Sequence, residues 1–397
     1  MVERGRHFLM LPGPTPVPER VQRAMLVSGI DFASPEFVAS ARSCHRDLAR
    51  LFGTAGEVIA YIANGHGAWE VPLVNLFEPG DTILVTGTGR FSRSWSEMAE
   101  HLGLVAVETA TDWRRAFDPD LIAERLAADR EHRIKAVLAV HTETATACTG
   151  DLPALRRAMD STGHPALLAV DAIASLGVEP FAMDEWGMDV ALSASQKGLM
   201  LPAGLAFVAL NGKAMAVAER CRHPRRYWDI QFRRGDESYM WFHGTPPVQA
   251  MFGLRAALDM LFEEGLDTVV ARHRRLADGV RRAVAAWSEA GAMEINALQP
   301  EQRSNAVTAI RTEEGLDPVR LRQVTRERFA LSIGGGLGDL QGRAFRIGHL
   351  GDLNEPMVLG ALGAIEAAFR VCDFPFRSGL DAAAAYFAEA SPSTGTT

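Results

Sequence analysis

From Glu36 onward two hydrophobic rhythms alternate along the chain. Apolar residues spaced three or four apart predict amphipathic helices, and short solid runs of apolar and β-branched residues predict strands covered on both faces. The order reads helix 36–52, strand 58–62, helix 66–76, strand 82–85, helix 93–102, strand 104–107, helix 121–127, strand 136–140, helix 152–159 and strand 166–170. Two further strands are expected at 190–193 and 205–210. Strands that alternate with helices predict an α/β fold built on a mostly parallel sheet.

The pattern breaks in two places. Residues 11–18 read Leu-Pro-Gly-Pro-Thr-Pro-Val-Pro, and prolines without N–H donors make this an extended arm. After about Gly265 a long Arg/Ala-rich helix, 268–290, leads into a strand at 306–311, a helix at 318–329, a strand at 344–347 and a helix at 357–371. The expected organisation is an N-terminal arm 1–20, a large domain 21–264, a smaller α+β domain 265–390 and a flexible tail 391–397.

Composition narrows the function. Lys plus Arg number 41 against 49 Asp plus Glu, a net charge of −8 that does not attract nucleic acid or anionic lipid. The four cysteines are scattered, without the spacing of a zinc site, and predict inert thiols in a reducing compartment and no metal. The apolar stretch 8–11 is cut by Pro12 and is too short for a signal peptide, and no other run approaches a membrane span. The expectation is a cytoplasmic protein acting on small molecules.

Four segments carry candidate chemistry. Lys197, in Ser193-Ala194-Ser195-Gln196-Lys197-Gly198, follows a predicted strand, where an open α/β sheet binds its ligands. A buried lysine with a lowered pKa suits Schiff-base chemistry; an ordinary surface lysine is the alternative. Asp171 ends an apolar strand, where a carboxylate is costly unless a cation meets it. The protonated ring nitrogen of pyridoxal phosphate would be such a cation, and a helix N-cap is the alternative. Ala63-Asn64-Gly65-His66-Gly67 forms a strand–helix turn able to hold a phosphate. Gly87-Thr88-Gly89 lacks the third glycine of a dinucleotide fingerprint and reads as a plain turn. In Ala344-Phe345-Arg346-Ile347-Gly348, strand alternation sets Arg346 opposite Phe345 and Ile347, poised either to grip a carboxylate or to form an inter-domain salt bridge.

Taken together, Pro12-Gly13-Pro14, Asn64-Gly65-His66, Asp171-Ala172-Ile173-Ala174-Ser175-Leu176-Gly177, Ser195-Gln196-Lys197 and Arg346-Ile347-Gly348 resemble the class V pyridoxal-phosphate aminotransferases. The resemblance is strongest to the alanine/serine–glyoxylate and aspartate–glyoxylate subgroup and runs from about Leu9 to Phe387. It implies fold type I, with pyridoxal 5′-phosphate as cofactor and an amino acid and a 2-oxo acid as substrates. By position it implies that Lys197 carries the cofactor as a Schiff base and shuttles the proton, and that Asp171 pairs with the ring nitrogen. Phe91 would stack on the ring, and Thr144 would lie near its hydroxyl. Asn64, Gly65, His66 and Gln196 would surround the phosphate. Thr245 would reach that phosphate from the other subunit of a homodimer, and Arg346 would bind the substrate carboxylate.

Three departures from the family stand out: Phe242 in place of a tyrosine, Asp31-Phe32-Ala33 in place of an Asp-His-Arg run, and Pro202-Ala203-Gly204 in place of a double proline. Arg225, Arg226 and Arg233 are candidates for a second substrate carboxylate. The competing readings are a cysteine desulfurase-like lyase, which needs a cysteine on a small-domain loop absent from 329–338, and a nicotinamide-dependent oxidoreductase built on the Gly87–Gly89 turn.

Overall fold

The computed structural model describes residues 5–110 and 112–389; the expected tail 391–397 lies outside them. Its strands, in chain order, are β1 (Phe8–Met10), β2 (Glu57–Ala63), β3 (Thr82–Gly87), β4 (Val105–Ala110), β5 (Ile134–Val140), β6 (Thr142–Glu143), β7 (Cys148–Thr149), β8 (Leu167–Asp171), β9 (Val190–Ala194), β10 (Gly204–Leu210), β11 (Met293–Ile295), β12 (Val307–Thr312), β13 (Leu331–Gly335) and β14 (Ala344–Gly348). A seven-stranded sheet runs β2-β10-β9-β8-β5-β3-β4. Its neighbours pair in parallel except β10, which is antiparallel to both β9 and β2. The fold is therefore α/β with a mostly parallel central sheet.

The near-solid apolar strands are explained by cover on both faces. On β5, Val137 and Ala139 enter one core while Ala136, Leu138 and Val140 enter the other, and β8 divides Leu168 and Val170 from Leu167 and Ala169 in the same way. Four helices of this part matter below: α1 (Glu19–Met25), α2 (Pro35–Phe52), α3 (Gly65–Leu76) and α4 (Arg90–His101). Helix α2 shows why such segments start and stop where they do. The hydroxyl of Ser34 accepts from Phe37 N, Pro35 occupies the first turn, and Gly53 closes the helix at φ 66°.

A second sheet, β1-β13-β14-β12-β11, packs Ile310, Ile333, Phe345 and Ile347 into a separate core with helices Leu266–Ser288 and Glu355–Val371. Strand β1, just before the proline arm, pairs in parallel with β13 on its edge. The arm is thus sewn to this second sheet before it crosses to the first.

Several elements carry weak sequence signals. Helix Val248–Glu264 has apolar residues around much of its circumference, β11 has three residues, and β13 ends in two glycines. Helix α4 begins at Arg90, three residues before its apolar periodicity begins, because its cap comes from a distant carboxylate described next.

Candidate active site

The co-directed strands deliver their carboxyl ends to one rim of the large sheet, and a cavity of about 280 Å³ opens there. Asn64, Gly65, His66, Phe91, Thr144, Asp171, Gln196 and Lys197 all line it, as do Gly13 and Trp69. Residues from six separate stretches of chain meet in it because the loops after β2, β3, β5, β8 and β9, together with the proline arm, converge on that rim.

Asp171 is the last residue of β8 and is 4% exposed. Its Oδ1 accepts from Ile173 N at 2.7 Å and its Oδ2 from the indole Nε1 of Trp69 at 2.8 Å. No helix begins at this point, so the N-cap alternative does not describe it. Burial raises its pKa to about 6, against the opposing pull of these two donors and of Lys197.

Lys197 lies three residues beyond β9, in a turn fastened by Ser195 Oγ to Pro202 O at 2.7 Å and by Met200 N to Lys197 O at 2.9 Å. The arm lies across it: Thr15 N donates to Gln196 O, Thr15 Oγ1 donates to Lys197 O, and Lys197 Nζ donates to Pro12 O. Gly13 (φ +101°) makes this approach possible, because a Cβ there would come within 2.5 Å of Nζ. Burial lowers the lysine pKa to about 8, assisted by Arg346 and opposed by Asp171 and Glu143. It is therefore not an ordinary surface lysine.

Arg346 lies on β14 of the second sheet, its side chain opposite the core residues Phe345 and Ile347. Its Nε donates to Gly335 O at 2.7 Å and its Nη1 to Thr144 O at 2.8 Å. No carboxylate pairs with it among the described residues. The salt-bridge alternative therefore falls away, and Nη2 is left without a hydrogen-bond partner there.

Glu143, fully buried on β6, accepts from Phe91 N (2.9 Å) and Ser92 N (3.1 Å) through Oε2, and from Ala145 N (3.0 Å) through Oε1. It supplies the cap that Gly89, the residue before α4, has no side chain to provide. A pyrophosphate at that helix start would find its N–H groups taken, a physical reason against the nicotinamide reading. At α3, Asn64 Oδ1 likewise accepts from His66 N (3.0 Å) and Gly67 N (3.4 Å), leaving Gly65 N outside the cap.

Other expected residues lie elsewhere. Thr245 is exposed and outside this cavity. Phe242 is buried in the large core beside His45. Arg225 and Arg233 spend their guanidinium groups on backbone carbonyls, Arg233 also lying over the Tyr61 ring, while Arg226 is exposed over Phe232; none lines the cavity. Of the four cysteines none lines it either, and burial raises the pKa of each thiol, which disfavours the lyase reading. Trp69 and Glu143 were not singled out from sequence. Trp69 could have been, since it lies one helical turn beyond Gly65 and His66 and so shares their face. Nothing in the spacing marks Glu143.

The profile of the family described as "Aminotransferase class-V" matches residues 13–336. The chain is 43% identical over 368 residues to the serine–glyoxylate aminotransferase of Methylorubrum extorquens, covering 91% of this chain and 90% of that protein. It is 39% identical over 378 residues to the L-aspartate–glyoxylate aminotransferase of Paracoccus denitrificans, covering 95% and 94%. The crystal structure of ureidoglycine–glyoxylate aminotransferase from Bacillus subtilis superposes with a TM-score of 0.88 at 26% identity, over 98% of this chain and 100% of that one. The chain belongs to the class V aminotransferase family and is an enzyme of fold type I with pyridoxal 5′-phosphate as its cofactor.

The residues present fit that group. Gln196 Oε1, beside Lys197, is a buried polar atom with no hydrogen-bond partner among the described residues, the amide ready for a further polar group. Asp171 offers a buried carboxylate whose hydrogen-bond donors among the described residues are neutral N–H groups, which suits a ring cation. No helix among the described residues is long and apolar enough to cross a membrane.

Proposed function

We propose that the enzyme moves the amino group of a small L-amino acid (serine, alanine or aspartate) to a 2-oxo acid, most favourably glyoxylate, by a ping-pong sequence of two half-reactions. The observation that carries this reading is the pairing of Lys197 and Asp171 at the ends of adjacent parallel strands, facing one cavity. The names of the Methylorubrum and Paracoccus relatives support the choice of acceptor.

Pyridoxal phosphate supplies an aldehyde for Schiff-base formation and a protonated ring that withdraws electrons. Lys197 holds that aldehyde at rest. Its free amine would be the acid–base group that takes up and returns the substrate's Cα proton. A lysine pKa of about 8 keeps a usable fraction neutral near pH 7. Asp171 holds the proton on the ring nitrogen. Phe91 and Thr144 both line the cavity, where Phe91 would cover the cofactor ring and Thr144 would meet its hydroxyl. Gly65, His66 and Gln196 hold the phosphate, with Asn64 ordering that turn. Arg346 grips the substrate carboxylate through the guanidinium edge that its carbonyl partners leave free, orienting Cα toward Lys197. Thr245, exposed and outside the lining of its own cavity, serves the phosphate of a partner subunit in a homodimer.

Borohydride reduction of the purified holoenzyme, followed by peptide mapping, tests the assignment. A phosphopyridoxyl adduct on Lys197, lost together with turnover in Lys197→Ala, is expected. An adduct on another lysine, or a Lys197→Ala enzyme that still turns over, overturns it. Initial rates with serine, alanine and aspartate against glyoxylate then identify the donor.

A further inference from the structure

Asp171 poses a physical problem that the reading above leaves unsolved. A lone carboxylate on a strand end, buried among apolar residues, can turn about its side-chain torsions and can take up a proton, and either change would misplace it. Two donors meet it, one per oxygen. The Ile173 N–H comes from the turn just beyond the strand, so it accompanies any aspartate at this position. The other comes from a different element: Trp69, one turn into α3, is 1% exposed and points its Nε1–H at Oδ2.

We propose that Trp69 is a positioning residue for Asp171, its indole N–H locking the carboxylate plane so that the remaining lone pairs face the cavity where the cofactor ring nitrogen binds. This rests on the function proposed above. The surrounding packing supports it. The indole stacks on Trp95 with ring centroids 6.1 Å apart at 17°, lies edge-on to Phe91 at 6.2 Å, and contacts His66 at 4.5 Å. The Trp69 carbonyl accepts from Trp95 Nε1 at 3.3 Å. The donor ring is thus packed among three aromatic neighbours, which restrains its N–H toward Asp171. Packing alone would accept a phenylalanine, whereas the hydrogen bond requires a ring N–H.

The charged and titratable groups around Asp171 are Lys197 beyond β9, Glu143 on β6, His66 on α3 with Trp69, and His141 just after β5, whose backbone N–H donates to Asp171 O. His141 is kept neutral by burial, its pKa lowered to about 3. It therefore adds no charge as Asp171 titrates.

The test is a double-mutant cycle read by cofactor affinity of the apoenzyme, with Trp69→Phe, Asp171→Asn and the pair. Trp69→Phe is expected to weaken pyridoxal phosphate binding about 10-fold or more and to move the acidic limb of the rate profile to higher pH, since it removes a donor to the ionised carboxylate. In the Asp171→Asn background the same change should cost less than about 2-fold. Trp95→Phe, which keeps an aromatic ring beside Trp69 and leaves the Trp69 N–H in place, should cost clearly less affinity than Trp69→Phe. Equal costs in both backgrounds, or an equal loss in Trp95→Phe, would reduce Trp69 to packing and overturn the proposal. Should Trp69→Phe fail to fold, indole 15N–H resonances of the unmutated apoenzyme decide the matter. One of the seven tryptophans must titrate with Asp171 and cease to do so in Asp171→Asn; absence of such a resonance refutes the proposal. The borohydride adduct on Lys197 tests the underlying function separately.

Discussion

Lys197 and Asp171 are held away from the proton affinities they have in water, and in opposite senses. Lys197 titrates near 8 in the folded chain and near 10.4 when unfolded, so the cost of burying its charge is fully present below pH 8 and fades between about pH 8 and 10. Asp171 titrates near 6 folded and about 3.9 unfolded, so the stability its protonated form contributes is present below about pH 4 and is lost as the pH rises through 6. Apo Lys197→Met should therefore melt higher than the apo parent at pH 7, and the gap should shrink as the pH is raised past 8. Thermal melts of the two apoproteins across pH 6–10 check this. A gap independent of pH would mean that the ammonium is not the source of the cost. Such destabilisation belongs to residues selected for chemistry.

At the scale of elements, the site depends on how helices α3 and α4 begin. Helix α4 is capped by Glu143 from β6, more than fifty residues downstream, and Gly89 leaves the space for it: a Cβ there would come within 2.5 Å of Glu143 Cγ. One carboxylate thereby fixes Phe91 on the cavity wall and the segment whose Thr144 carbonyl holds Arg346. Glu143→Gln keeps the shape but turns an NH2 group toward N–H donors, and should lower stability by about 1–3 kcal/mol in urea unfolding. It should also reduce turnover more than it changes the far-ultraviolet dichroism. A variant as stable and active as the parent would show that α4 caps itself.

Legibility followed the same division. Elements with clear periodicity, such as α2 and β5, could be read directly from spacing because one chain segment contains their whole signal. The same holds for Lys197 and Asp171, whose place at strand ends is local information. Trp69 acts through a partner about a hundred residues away and Glu143 through one about fifty residues away, and no local pattern encodes a hydrogen bond to Asp171 or to Phe91 N. Strand β1 escaped for a related reason: three apolar residues before a proline run become a strand only because β13 offers an edge.

At the scale of the molecule, Thr245 is exposed and does not line its own cavity, so the proposed homodimer has a direct test by subunit mixing. A heterodimer of Lys197→Ala and Thr245→Ala chains contains one site with neither residue and one with both. Unfolding and refolding the two variants together should therefore restore activity that neither regains alone. Failure to restore it, with heterodimers shown to form, would confine each site to one chain.

The arm that crosses between the two sheets carries one more consequence. Pro12 presents its carbonyl to the Lys197 amine, yet Pro12 lies two residues beyond β1, which belongs to the second sheet. The contact that favours the charged amine is thus anchored in one sheet and the amine in the other. A displacement of the second sheet that drew the carbonyl away would remove an acceptor of the ammonium and so favour the neutral amine. A single peptide oxygen thus links the placement of the second sheet to the amine of the first.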